Sequence, residues 1–216
     1  MHAIAAPVTI PEPNRATDAL DLSEVSPELR SLVRGDTPFF LYPAITYPHK
    51  NHRVVLEAFA LVRRAHPDVR LVLSGGAGGA GDAVAARAAQ PDLAGSVLRT
   101  GRLERPVLDA LVARAVALTF PSRFEGFGLP VLEALAARCP VIASDIAALR
   151  ELVGVAGVLV DPDDITGWAG ALAAALTEPT YRTARAAAGL GVARRYSPEV
   201  TAASLVGVYR GVVSGW

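Results

Sequence analysis

Six short apolar runs punctuate the chain, and between them apolar residues recur every three or four positions. The runs are Phe39–Tyr42, Val69–Leu73, Ser96–Arg99, Val116–Phe120, Pro140–Ala143 and Gly157–Val160. Being short and nearly continuous in apolar character, they predict strands buried on both faces. The intervening period predicts helices at 52–66, 82–89, 104–114, 128–137, 146–153 and 164–176. In the first of these, Val55, Leu56, Phe59 and Val62 share a face, and Asn51 is placed to cap the start. Strands alternating with helices imply βαβ units with right-handed crossovers. The expected fold is α/β: a Rossmann-like, doubly wound parallel sheet of about six strands with helices on both faces. Residues 180–213 read as helical throughout, lying over the sheet edge or reaching elsewhere.

The opening breaks this pattern. Residues 1–37 carry Pro7, Pro11, Pro13 and Pro27 and read as a linker-like segment. Within it a short helix is expected from Ser26 to Val33, with Pro27 in its first position and Gly35 closing it. The packed domain is expected over 38–216. Ligands of open α/β sheets bind outside the carboxyl ends of the strands, so chemistry is sought in the loops after residues 44, 74, 100, 120, 144 and 160.

The loop after the fourth strand is the richest. It reads Pro121-Ser-Arg-Phe-Glu125-Gly126-Phe127-Gly128-Leu129-Pro130-Val-Leu-Glu133. Two glycines around Phe127 allow the backbone to approach a ligand closely, and Pro130 suits the first turn of a helix. The amides at such a helix start carry partial positive charge and favour an anion, phosphate above all. Ionised Glu125 and Glu133 only accept hydrogen bonds, which suits the hydroxyls of a sugar or a ribose. Either glutamate alone fits a plain surface; the whole thirteen-residue run does not.

Net charge and composition narrow the field. With 21 basic and 21 acidic residues the chain is formally neutral, which argues against a dedicated nucleic-acid binder. A single cysteine, Cys139, rules out an internal disulfide framework and a multi-cysteine zinc site. No apolar run approaches the roughly 20 residues of a membrane span. Met1 to Arg15 lacks the basic start and apolar run of a secretory leader, so a cytoplasmic protein is expected, at most peripheral to a membrane in a full enzyme. Among 20 arginines stands one lysine, Lys50, at a loop-to-helix junction. There a compact ammonium suits a phosphate oxygen, although a solvated surface lysine also fits.

Other features read as structural. Gly76-x-Gly78-x-x-Gly81 has the form of a dinucleotide fingerprint, but Leu98, Arg99 and Thr100 stand where its ribose-binding acid belongs. Asp161-Pro-Asp163-Asp164 reads as a strand-to-helix turn in which Asp163 or Asp164 caps the helix, not as a metal motif. His2, His49, His52 and His66 have no zinc spacing. Ser122 and Ser144 lack evident His/Asp partners for a hydrolase triad. Cys139 and Trp168 read as core residues, and Trp216 as a terminal one.

Phe120 to Ala134, followed by Cys139-Pro-Val-Ile-Ala-Ser-Asp145, Glu151-Leu-Val-Gly and Val158-Leu-Val-Asp-Pro162, resembles the donor-site signature of retaining GT-B glycosyltransferases of family 4. The resemblance covers about residues 36–212 and includes the Glu-x7-Glu element, Glu125 to Glu133. It implies the C-terminal half of a GT-B fold and transfer of a hexose from a nucleotide sugar, such as a GDP- or UDP-sugar, to an acceptor hydroxyl. Neither metal nor cofactor is implied. It further implies that Glu125 contacts the transferred sugar and that Gly126, Phe127, Gly128 and Leu129 hold the diphosphate through their amides. Glu133 would then bind the ribose and Leu103 meet the base through its backbone.

In Pro43-Ala-Ile-Thr46-Tyr-Pro-His-Lys50-Asn-His52, the Lys-Asn of the family's diphosphate grip is kept, while Ala44-Ile45 stand where the family places Gly-Arg. This version resembles a subgroup that often acts on mannose or deoxysugar donors. Thr46 and Lys50 are the donor-site candidates here. Gly76 is a candidate for close approach to the donor, and a plain surface loop fits it as well. Val8 to Pro13 resembles the family's interdomain linker, so the acceptor-binding N-terminal domain is expected to be missing. An isolated donor half would be weakly active or inactive. The alternatives are a non-catalytic nucleotide-sugar module that needs a separate acceptor domain, or a remnant. An epimerase or a phosphorylase is disfavoured, because the first wants acids and a histidine in the cleft and the second a cofactor lysine.

Overall fold

The computed structural model describes residues 7–10, 25–178 and 180–214. Among them six strands form one parallel sheet: β1 (Phe39–Pro43), β2 (Arg70–Ser74), β3 (Val97–Gly101), β4 (Ala117–Phe120), β5 (Val141–Ser144) and β6 (Val158–Val160). Their spatial order is β3-β2-β1-β4-β5-β6, the doubly wound order. At the centre Phe40 and Leu41 of β1 pair with Leu71 and Val72 on one side and with Ala117 and Leu118 on the other. Phe39 to Tyr42 are buried throughout. That is why β1 carries no polar alternation: helices cover both of its faces.

The helices are α1 (Pro27–Arg34), α2 (His52–Arg63), α3 (Gly81–Ala88), α4 (Arg105–Arg114), α5 (Leu129–Ala136), α6 (Ala147–Val153), α7 (Ile165–Thr177), α8 (Tyr181–Arg194) and α9 (Pro198–Ser214). In one group α2 packs with α3 and α7; in the other α5 packs with α6 and α8, and α1 packs with α4. Local chemistry sets several ends. The Ser26 hydroxyl accepts from the Leu29 amide at 3.3 Å, and Gly35 closes α1 with φ +88°. The Asp164 carboxylate accepts from Gly167 N at 2.9 Å to start α7. Helix α2 stops at Arg63, three residues short of the expected end, because His66 precedes Pro67 and is restrained from helical backbone.

One expectation needs correction. Asn51 does not cap α2 with its side chain: it adopts left-handed backbone (φ +55°), and its amide nitrogen donates to the Pro162 carbonyl at 2.7 Å. The C-terminal region is helical as expected, in two segments. Pro198 lacks an amide and cannot continue α8, so the chain restarts as α9. Helix α8 packs on α5, whereas Val200, Val206, Tyr209, Val212 and Val213 of α9 are exposed. The expected short N-terminal helix is present as α1. Its Leu29, Leu32 and Val33 join the common core, as does Val8, whose amide donates to Tyr196 O at 2.8 Å. Residues 1–6 and 11–24 of the opening segment, and Trp216, lie outside the described residues.

The glycine-rich stretch after β2 divides by position. A side chain on Gly75 (φ +138°) would overlap the Ala44 carbonyl, and one on Gly78 would sit 2.9 Å from Thr46 O, whereas one on Gly76 would meet nothing within 4 Å. Thus Gly75 and Gly78 let two loops pack together. Gly75→Ala is expected to cost about 1–3 kcal/mol of stability, and Gly76→Ala to stay within about 0.5 kcal/mol of the parent, both read by urea unfolding.

His52, at the start of α2, is buried with its ring 4.5 Å from the ring of Tyr42, and neither ring nitrogen has a hydrogen-bond partner among the described residues. Burial lowers its pKa from 6.5 to about 4; the nearby Ala44 backbone partly opposes this, and the charge of Lys50 adds to it. As pH falls below 6.5 the unfolded chain takes up this proton first, so His52 costs stability progressively down to about pH 4. His52→Phe keeps the ring and removes the titration. Urea unfolding at pH 7 and pH 4.5 should show the variant losing about 2 kcal/mol less than the parent over that interval.

Candidate functional site

The sheet order places the topological switch between β1 and β4, whose following loops leave toward opposite faces. Two candidate residues meet there. Lys50, at the end of a 3-10 turn over Pro48–Lys50, places its ammonium 2.5 Å from Glu125 Oε1 and 5.4 Å from the centre of the Phe120 ring. Both partners are mostly buried, with side chains 19% and 12% exposed. Backbone bonds hold the two loops together: Arg123 N donates to His49 O at 2.8 Å, and the buried Tyr42 hydroxyl donates to Lys50 O at 2.5 Å. Burial holds the Tyr42 phenol well above its ordinary pKa, so it remains a proton donor.

Beyond Glu125 the chain turns into α5. Gly128 caps its start in left-handed backbone (φ +95°), and a side chain there would lie 2.7 Å from Leu149 Cδ2. The first helical amides, those of Val131 and Leu132, bond to Gly128 O, so the amides of Gly126 to Leu129 precede the helical ladder. A side chain on Gly126 would meet nothing of the chain within 4 Å. The Phe127 ring packs edge-on against Tyr196 at 5.6 Å, and Leu129 is 40% exposed.

Glu133 lies one turn further along α5. It faces an open groove of about 980 Å³ whose lining includes Pro43 at the end of β1, together with Arg105, Leu108, Leu129 and Pro130. The groove is lined further by residues of α4 and α5 and by Arg182, and neither Lys50 nor Glu125 lines it. Glu133 is paired as well: Arg105 Nη1 donates to its Oε1 at 2.6 Å, while Arg105 Nε donates to Asp109 Oδ1 at 2.8 Å. These bonds, the one to Glu133 foremost, raise the Arg105 pKa further.

The remaining candidates are placed differently. Thr46 is buried and clamps the glycine-rich loop: its hydroxyl accepts from Gly78 N at 2.8 Å, its amide donates to Gly76 O at 3.2 Å, and its carbonyl accepts from Ala80 N at 2.8 Å. Leu103, just after β3, is half-buried against the core. Cys139 is buried, which pushes its thiol up to about 11. Asp161 O accepts from the buried Trp168 indole at 3.0 Å, Asp164 caps α7, and Asp163 pairs with Arg123. The Asp-rich turn thereby braces the site through Asn51 and Arg123.

Sequence reading missed Arg105, Tyr42, and the tie from Asn51 and Arg123 to the turn at 161–164. Only Arg105 left a local signal, its position four residues before Asp109 at the start of a helix.

Compared with known proteins, residues 37–178 match the family model described as "Glycosyl transferases group 1". The chain is 30% identical over 192 residues to an O-antigen chain mannosyltransferase B of Escherichia coli, covering 87% of this chain and 50% of that protein. It is 36% identical over 174 residues to a D-inositol 3-phosphate glycosyltransferase of Segniliparus rotundus, covering 78% and 38%. The chain thus spans half or less of the length of these curated relatives. Among solved structures it resembles a sucrose-phosphate synthase of Thermosynechococcus elongatus, with TM-score 0.77 and 24% identity over 88% of this chain and 50% of that one. It also resembles Anabaena HepE in complex with UDP-glucose, with TM-score 0.75 and 20% identity over 87% and 54%. At those identities the structural matches establish the fold, an α/β Rossmann-like domain of GT-B type. No described helix is long and apolar enough to cross a membrane. With the match running across the switch-point loops and the helix that carries Glu133, the chain belongs to the glycosyl transferases group 1 family.

Proposed function

We propose that the chain is the C-terminal, donor-binding half of a retaining family 4 glycosyltransferase that moves a hexose from a GDP- or UDP-sugar to an acceptor hydroxyl in the cytoplasm. The observation that carries this reading is the meeting of Lys50 and Glu125 at 2.5 Å beside the start of α5, with Glu133 further along that helix on the groove. In this reading the amides from Gly126 to Leu129 and the Lys50 ammonium hold the diphosphate, while Glu125 orients the sugar. Glu133 accepts from the ribose, and the backbone at Leu103 meets the base. Thr46 and Gly76 shape the wall beside Lys50. The charge that builds on the leaving diphosphate is met by fixed donors, which need no reorganisation as the bond breaks. Retention, with the departing phosphate taking the acceptor proton, follows from the family resemblance. The chain supplies one wall of a cleft; orienting the acceptor and excluding water need a second. A second reading is a donor-binding module that acts with a separate acceptor domain.

Isothermal titration of the chain with UDP, GDP and ADP should show weak binding to at least one, and absence of binding to all three overturns the proposal. Lys50→Met should weaken diphosphate binding about tenfold or more, because a charge-assisted contact is lost, while leaving binding of the bare nucleoside nearly unchanged. Glu133→Ala should weaken nucleotide binding more than binding of a free sugar phosphate; equal losses contradict the ribose role.

A further inference from the structure

The Glu133 carboxylate is held by a group outside the candidate set. Arg105 opens α4, and Glu133 lies on α5, 28 positions later in sequence. The guanidinium engages two carboxylates at once: Nε meets Asp109 one turn along its own helix, and Nη1 meets Glu133 across the groove. Arg105 is 59% exposed, Asp109 41% and Glu133 25%. Pairs so well solvated contribute little to stability, so the fold does not depend on this chain of ions. What it does is mechanical. A carboxylate has two oxygens; Arg105 takes Oε1, and Oε2 remains available as an acceptor. A planar guanidinium with both partners engaged sets the rotation of the carboxylate, which a flexible ammonium in its place would not do. The same three side chains line the groove together with Pro43 and Leu129.

We propose that Arg105 is a positioning residue for ribose recognition. Anchored by Asp109, it locks the Glu133 carboxylate so that the remaining oxygen accepts from the vicinal hydroxyls of a nucleotide's ribose. This rests on the reading of the groove as a nucleotide site and goes beyond it by assigning discrimination between ribose and deoxyribose to a three-residue array, Asp109, Arg105 and Glu133. The ligand class is a ribonucleoside diphosphate. Arg105 itself does not touch the ligand; its effect passes through Glu133.

The test is calorimetric, using the whole chain with UDP and GDP and with their 2′,3′-dideoxy analogues, and thermal melting to verify folding of each variant. The readout is the ratio of affinities for the ribo and dideoxy forms. Glu133→Gln should collapse that ratio. Arg105→Gln should reduce it about tenfold, as expected when a carboxylate-to-hydroxyl bond loses its orientation, with dideoxy binding nearly unchanged. Asp109→Asn should reduce it less, in the same direction. If Glu133→Gln collapses the ratio while Arg105→Gln leaves it intact, the positioning role is wrong and the ribose reading stands. Equal losses for ribo and dideoxy forms in Arg105→Gln mean direct contact with the ligand and also overturn the proposal. A ratio unmoved by Glu133→Gln sinks the ribose assignment itself.

Discussion

Everything at this site depends on one topological constraint, the reversal of winding between β1 and β4. In a parallel sheet each strand must be followed by a crossover, and right-handed crossovers place the helices after β1 and β4 on opposite faces. The loops after these two neighbouring strands therefore diverge and leave a crevice between them. Lys50 is carried to one lip of that crevice and Glu125 to the other, although they are 75 positions apart. The core enforces this placement, because Phe40 and Leu41 are locked between β2 and β4 with no exposed surface.

The acids around the crevice each meet a cation: Glu125 with Lys50, Glu133 with Arg105, Asp163 with Arg123. These pairs differ in what surrounds them. Lys50 and Glu125 are mostly withdrawn from water, where an unmatched charge is costly, so each partner holds the other in place. Arg123 and Asp163 are well exposed, and their value lies in tying the loop before α5 to the turn before α7. Asn51 ties the Lys50 loop to the same turn through Pro162. Three loops that sequence places far apart thus brace one another on the carboxyl side of the sheet.

Much of this was legible beforehand, for reasons that can be named. The alternation of strand and helix was plain because a parallel sheet buries both faces and leaves unbroken runs such as Phe39 to Tyr42. The start of α5 was readable because Gly128 and Pro130 are punctuation that few other structures need. Pairings between distant residues were not readable. Nothing local to Thr46 announces that its hydroxyl is spent on Gly78, or that Gly75, not Gly76, is the glycine pressed against the loop after β1. Asn51 looked like a cap because asparagine often is one; its left-handed backbone turned the side chain toward Pro162, a partner 111 positions away. The break before α9 was visible in Pro198, yet the surrounding apolar and alanine-rich residues favour helix on both sides.

In the proposed reading Lys50 is the cation that meets the phosphates: the family resemblance implies an arginine where this chain has Ile45, and Arg123 is engaged with Asp163. In that reading the geometry of Lys50 suits it to serve two anions at once. An ammonium has three donors, and Glu125 takes one of them. The other two can reach phosphate oxygens without breaking the existing pair. Lys50 then stands between two anions that chemistry requires side by side, the carboxylate that orients the sugar and the diphosphate that departs from it. Without a cation between them, two such charges in a poorly solvated crevice repel strongly. With it, the carboxylate stays in place as negative charge grows on the leaving group, and the helix amides take up the remainder. Arginine at the same position would spread its charge over a wide plane and bind one anion in bidentate fashion. A compact ammonium at the end of a rigid 3-10 turn serves both.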